Sequence, residues 1–277
     1  MADDEVFLKV QDRAQKVRDL YQESASRFSN VLLYGDFGTG KTSIAATAPT
    51  PVFIDSFDPG GTKTFALQEK ISAGDIIVDN RWETDSWKDP FAFRDWEREM
   101  DARKREGFFD HIGTYMLDSA TRWSDSLMFE IFRREGRKGK NPQIQDYLVQ
   151  QLTAVDWLGV MMGLPCHVIV TGHIGYDKDE VTGKMETGLM MYGKLSGKVP
   201  LVFDEKWIST AKPGKDGSEY LLQVHNDGYK KAETRMGGVK FADYEQPDLK
   251  HLLRKAGRDP SDKPSLFAEH ATIHHPG

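Results

Sequence analysis

"VLLYGDFGTGKTSIA", residues Val31 to Ala45, sets an apolar run against a glycine-rich turn that ends in lysine and threonine. Gly35, Gly40, Lys41 and Thr42 complete the G-x-x-x-x-G-K-[ST] spacing of a phosphate-binding loop. Val31 to Tyr34 read as a short buried strand, and Ser43 to Ala48 as the helix that follows it. Between such elements the backbone N–H groups of Gly35, Asp36, Phe37, Gly38, Thr39, Gly40, Lys41, Thr42 and Ser43 can turn inward around a polyphosphate. Lys41 then meets the β- and γ-phosphates, and the Thr42 hydroxyl is a ligand for Mg²⁺. The expected cofactors are ATP and Mg²⁺.

A nucleotide site of this kind needs an acid at the end of a neighbouring strand. Asp118 closes the apolar "YML" and is the residue expected to hold Mg²⁺. It is followed by Ser119, where many ring ATPases and packaging motors place a water-activating glutamate, so the base must come from elsewhere. "FIDSFDPGG" offers Asp55 and Asp58 at the carboxyl end of the second strand, where ligands of an open α/β sheet bind. Either carboxylate can orient the attacking water, and Asp58, ahead of Pro59-Gly60-Gly61, is the better placed. An aspartate before Pro-Gly also serves simply to cap a turn. His173, ending the fourth strand, reads equally as a γ-phosphate sensor and as a polar strand terminus.

Working outward, 277 residues fit one α/β domain with additions or at most two small domains. Cys166 is the only cysteine, which excludes a disulfide framework and a cysteine-based zinc site. No apolar run is long enough to span a bilayer, and the acidic start has no apolar signal region. A cytoplasmic protein with no membrane partner is expected. The net charge of −6 means that any nucleic-acid contact must come from a local patch. "PVFID", "GTYMLDS" and "CHVIVTGH" read as further strands, and Gln143 to Gly163 as a helix with Ile144, Leu148, Leu152 and Val155 on one face. Asp89-Pro90 is expected to open a helix that Gly107 closes. "EKWIST" and "EYLLQVH" read as a hairpin. Residues 1–27 form an amphipathic helix through Phe7, Val10, Ala14, Val17 and Tyr21, either packed on its own domain or serving as a docking arm for a neighbouring subunit. The fold class is α/β: a mostly parallel sheet flanked by helices, with the core over 28–245. A C-terminal helix and a loose tail from Asp259 are expected over 246–277.

"LLYGDFGTGKTSIA", "VFIDSFDPGG", "YMLDSATRW" and "HVIVTGH", in this order, resemble the RecA-type recombinase core, and more closely the short, core-only RecA-like ATPases of bacteriophages. The resemblance covers roughly residues 28 to 245. It implies a RecA-like fold, ATP hydrolysis stimulated by single-stranded DNA, and strand annealing or homologous recombination by a homo-oligomer, ring or filament. A single-strand-binding protein is a further partner of such proteins, and a phage-encoded chain would work in the host cytoplasm. RecA carries glutamate where this chain offers Asp55 or Asp58, and glutamine where His173 stands.

The resemblance also implies two DNA loops. The first falls on "RREGRKGKNPQ", whose Arg133, Arg134, Arg137, Lys138 and Lys140 make it the most basic stretch of the chain; its other reading is a solvated helix end. The second is Ile174 to Lys198, where Tyr176 and Tyr192 can stack on bases and Lys194 and Lys198 can meet phosphates. Asp177, Asp179 and Glu180 argue that contact comes from Met190 to Lys198. RecA-like sites lie between subunits, and Lys230, Lys231 and Arg235 occupy about the region that supplies the inter-subunit cation. Arg235 is the choice, because a guanidinium can make bidentate contact with phosphate. Two readings from other classes stay open: a P-loop phosphotransferase with "RREGRKGK" as a mobile lid, and a nucleotide-gated assembly factor with little turnover.

Overall fold

The computed structural model describes residues 2–24, 28–178, 185–214, 217–236 and 240–267. Six strands run parallel: β1 (Asn30–Gly35), β2 (Val52–Ser56), β3 (Ile76–Asp79), β4 (Thr114–Asp118), β5 (His167–Lys178) and β7 (Glu205–Gly214), in the order β3-β2-β4-β5-β1-β7. β6 (Met185–Leu189) returns antiparallel on β5, and β8 (Gly217–Gln223) and β9 (Glu233–Thr234) lie antiparallel on β7. β10 (Tyr244–Glu245) closes the far edge against β8. This is the α/β, mostly parallel sheet expected, with its C-terminal hairpin formed by β7 and β8. β3 is an addition that the sequence reading did not contain.

The phosphate-loop strand shows why the sheet is buried on both faces. Leu32 and Tyr34 point into one apolar cluster with Phe53, Trp96 and Trp123, while Val31 and Leu33 point into another with Ile44, Ile54 and Leu252. That alternation is the period of two that a parallel strand covered by helices requires. The first cluster lies under α3 (Ala92–Arg105), α4 (Ala120–Arg134) and α5 (Ile144–Met162). The second lies under α2 (Phe65–Ala73) and α7 (Leu249–Ala256). A four-residue helix, α6 (Leu195–Lys198), follows β6.

Several expectations change. No α-helix follows the phosphate loop: Thr42–Thr47 form a short 3-10 helix of six residues, because Pro49 and Pro51 stop it almost at once. α3 begins at Ala92, and its first N–H groups are taken by Asp85, whose Oδ1 accepts from Phe91 and Ala92 at 2.9 and 3.2 Å; Asp89 instead pairs with Lys138. Its end at Gly107, φ 69°, is as expected. Over its described side chains, Glu5 to Leu20, the leading helix, α1 (Ala2–Ser24), is exposed throughout and so does not pack on its own domain there. On α5, Ile144, Leu148 and Leu152 face solvent, whereas Val155, expected on the same face, is partly buried against the first cluster, and Gln150, Ala154, Trp157 and Leu158 turn inward.

The tail is not loose before residue 268. Lys263 N–H donates to the Thr50 carbonyl at 2.8 Å, Asp262 accepts from Thr50 N–H, and the Phe267 ring lies against Gly74. Residues 268–277 lie outside the described residues. The strap covers His167, whose Nδ1 accepts from Ser29 N–H while Nε2 donates to the Asp259 carbonyl at 3.1 Å. Burial pulls this imidazole down from 6.5 to about 4. The unfolded chain takes up a proton below pH 6.5 that the folded chain refuses, so this stabilisation is complete above pH 6.5 and is lost as pH falls toward 4. Urea-unfolding midpoints should show about 2 kcal/mol of stability lost from pH 7 to pH 5 on this account, a dependence that His167→Gln should lack. Identical pH profiles for both proteins would remove His167 from this role.

Candidate active site

The crevice lies at the carboxyl ends of β1, β2, β4 and β5, where Gly35 stands opposite His173 and Ser56 opposite Asp118. β5 separates the phosphate-loop strand from the strand that ends in Asp118. Gly38 and Gly40 take φ of 73° and 85°, the left-handed values that the loop's turn inward demands. At Gly35 an added Cβ would fall 2.4 Å from the Ser209 carbonyl oxygen, so the loop leaves the sheet in direct contact with β7. Thr39 is fixed by its hydroxyl on the Asp36 carbonyl, and its own carbonyl accepts from the Ser209 hydroxyl. Ser43 N–H returns to the Gly40 carbonyl, and Phe37 stands fully in solvent at the tip.

Lys41 is folded over its own loop, donating to the carbonyls of Gly35 and Asp36 at 3.1 and 2.7 Å. Burial lowers its ammonium, while Asp118, Asp58 and Asp36 oppose the shift. Burial likewise pushes Asp118 up, against hydrogen bonds from Thr171 and Thr42. A phosphate beside Lys41 and a cation beside Asp118 would restore both charged forms. The Thr42 hydroxyl donates to Asp118 Oδ2 at 2.8 Å, which brings the two expected Mg²⁺ ligands together. The backbone of Gly61 closes over this pair: a Cβ there would sit 3.2 Å from Asp118 Oδ2 and 3.6 Å from Thr42 Oγ1. Among the described residues no group of three or more His, Cys, Asp or Glu side chains could hold a metal ion. One carboxylate and one hydroxyl suit Mg²⁺, which keeps waters and phosphate oxygens as its other ligands. The residues therefore fit the ion, whose part is to neutralise phosphate charge.

The two candidate bases separate. Asp55 is fully buried and accepts from Trp82 and Trp96 Nε1, the Tyr115 hydroxyl and the Arg103 guanidinium, at 2.9 to 3.2 Å. It is the centre of a core ion network, with no face left for water, and leaves the catalytic set. Asp58 remains: its Oδ2 lies 3.0 Å from Nε2 of His173, so acid and histidine meet across β4. The same His173 donates its N–H to the Thr121 hydroxyl at 3.1 Å and accepts on its carbonyl from Met190 N–H at 2.8 Å. Such a pair can accept a water proton and hold the water in place.

Sequence reasoning missed the partners of these residues. Thr171, one strand over, donates to Asp118 Oδ1. Glu83 clasps the Asp58 loop, accepting from the Ser56 hydroxyl at 2.7 Å and from Gly60 N–H at 3.3 Å. Nothing at Glu83 announces this, whereas Gly60-Gly61 was a visible signal. Tyr176 donates its hydroxyl to the Asp36 carboxylate at 2.7 Å, placing it on the phosphate loop instead of free for a base. The segment from Ile174 is likewise no open loop at first, since β5 and β6 pair from Ile174–Leu189 to Lys178–Met185. Asp179 and Glu180 lie outside the described residues.

The basic stretch is neutralised from within. Arg133 and Arg134 both hold Glu130, Arg134 also reaches Glu97, Arg137 holds Asp146, and Lys138 holds Asp89. Lys140 is exposed and makes no ion pair among the described residues. Four of the five expected phosphate contacts are thus committed to acids that lie outside the basic stretch itself. Tyr192, Lys194 and Lys198 are exposed, with Tyr192 at 6.4 Å from the Tyr147 ring. Arg235 is also exposed and lies 3.7 Å from Glu233. It follows Thr234, which opposes Glu205, itself opposite Val31. That is the amino-terminal end of the sheet, about 13 Å of strand from Gly35. Arg235 does not reach its own phosphate loop.

No curated protein matches the sequence. Among solved structures the chain is similar to a KaiC-like protein from the archaeon Pyrococcus horikoshii OT3, at 13% identity and a TM-score of 0.38, over 75% of this chain and 83% of that one. It is also similar to the flagellar accessory protein FlaH from Methanocaldococcus jannaschii, at 10% identity and a TM-score of 0.38, over 82% and 88%. Both likenesses are too distant to bear on function. A family model described as an AAA domain matches residues 27–232, a span that takes in every strand of the parallel sheet, and the chain belongs to that family of P-loop ATPases.

Proposed function

We propose that the protein is a Mg²⁺- and ATP-dependent binder of single-stranded DNA that promotes strand annealing or exchange as a homo-oligomer. The observation that supports this best is the position of His173. Its ring meets Asp58 in the crevice, and its carbonyl holds Met190, the first residue of the exposed segment that carries Tyr192, Lys194 and Lys198. Phosphate chemistry and a stacking, cationic surface are one residue apart. DNA contact is assigned to this segment and withdrawn from Arg133, Arg134, Arg137 and Lys138, which are already paired. The same pairing disfavours a phosphotransferase, whose lid arginines would have to move freely. Arg235 acts, in this reading, on the neighbouring subunit's nucleotide.

The test is the ATPase rate with and without an oligothymidylate. Single strands should raise the rate severalfold, and Lys194→Ala with Lys198→Ala should abolish that rise while leaving the basal rate intact. The log–log salt slope of binding should flatten by about 0.7 for each lysine removed. Equal rates with and without DNA, together with no measurable binding, would refute the proposal and leave a nucleotide-gated assembly factor.

A further inference from the structure

Two helices carry apolar stripes that the fold leaves in solvent. On α1, Phe7, Val10, Ala14 and Val17 recur at spacings of three and four and form one seam. Phe7, Val10 and Val17 are 61%, 59% and 61% exposed. On α5, Ile144, Leu148 and Leu152 stand in an i, i+4, i+8 row and are 89%, 58% and 62% exposed. Most helical stability in proteins comes from packing an amphipathic face, so an arm of 23 residues with its seam in water lacks its main support. Outside α1, the exposed isoleucines, leucines and valines among the described residues are Ile144, Leu148, Val149, Leu152, Leu201 and Leu266, and four of these six lie on α5.

We infer that α1 of one copy docks on the α5 face of the next copy, linking chains head to tail. The two stripes match in length, since Phe7 to Val17 spans about 15 Å and Ile144 to Leu152 about 12 Å. Charge matches as well. At 3.6 residues per turn Arg13 and Arg18 flank the α1 seam on either side, while Asp12 and Asp19 fall on the back. The exposed Asp156, four residues on from Leu152, ends the α5 row with a negative charge. The occupant is a second copy because the seam from Phe7 to Val17 is not covered by its own chain, with every side chain from Glu5 to Asp19 exposed. Arm and face are different surfaces, so the contact is heterologous, and its repetition gives a ring or an open filament.

Two variants of the full chain test this by sedimentation, with no nucleotide or DNA present, so that the result is independent of the functional proposal. The arm variant is Val10→Asp with Val17→Asp; the face variant is Leu148→Asp with Leu152→Asp. Wild type should sediment above the 31.4 kDa monomer, and each variant alone should fall to it. Mixed, the two should form a 1:1 dimer and nothing larger, because one intact arm meets one intact face. All four positions are exposed, and glutamine at the same positions repeats the test without added charge. A monomeric wild type would overturn the inference in favour of docking within one chain. A face variant that keeps the wild-type mass would overturn it in favour of arm-to-arm pairing or another receptor. A mixture of folded variants that stays monomeric would overturn it outright.

Discussion

Lys41→Ala should lower ATP hydrolysis at least about a hundredfold, the order seen when a preorganised charge is removed from a transition state. Lys41 is the one side chain of the phosphate loop able to meet the β- and γ-phosphates, and its ammonium already lies over the Gly35 and Asp36 carbonyls. Stability should change by less than about 1 kcal/mol. The two hydrogen bonds lost are offset by release of an ammonium that burial disfavours. Hydrolysis and urea unfolding measured on the same preparation separate the two effects. A variant within twofold of the wild-type rate would end the nucleotide reading.

Asp55→Asn should act the opposite way, on the fold more than on the chemistry. The carboxylate is fully buried and collects five hydrogen bonds from four side chains: two indole N–H groups, a phenol and the guanidinium of Arg103. An amide offers one acceptor oxygen and turns two N–H donors toward groups that are donors themselves. Breaking one side of a buried ion pair costs about 3–5 kcal/mol. Arg103 keeps Asp79, at 2.6 Å, as its remaining partner. The urea midpoint should fall sharply, while the folded fraction still binds ATP. A midpoint equal to wild type would show that the network is dispensable.

The fate of Asp55 shows what the sequence carried and what it did not. The phosphate loop, the strand ending in Asp118 and the parallel sheet were legible because each is a local pattern: fixed glycine spacing, an apolar run, a change of period. Asp55 and Asp58 stand three residues apart on one strand end, and no local rule tells which faces the crevice. That was decided by Trp82, Trp96, Arg103 and Tyr115, which come from three other elements. The basic stretch failed for the same reason. Glu130, three and four residues before Arg133 and Arg134, was within reach of a local rule, but Glu97, Asp89 and Asp146 reach the other cations across turns and helices. On α5 the stripe split, Val155 packing on the core while Ile144, Leu148 and Leu152 face solvent, because periodicity says only that residues share a face, not that the chain itself covers it.

His173 has three of its polar groups engaged: N–H to Thr121, carbonyl to Met190, Nε2 to Asp58. A message passing between the phosphate crevice and the segment beginning at Met190 therefore crosses a single residue. It needs no hinge and no rotation of one body against another. Domain motions take microseconds to milliseconds, whereas side-chain rearrangements take picoseconds to nanoseconds. Were the proposed link between the phosphates and Tyr192 to run through this residue, it would move at the nanosecond-to-microsecond pace of side chains and loops, and the slow step of the cycle would lie in chemistry, in product release or in the assembly of chains.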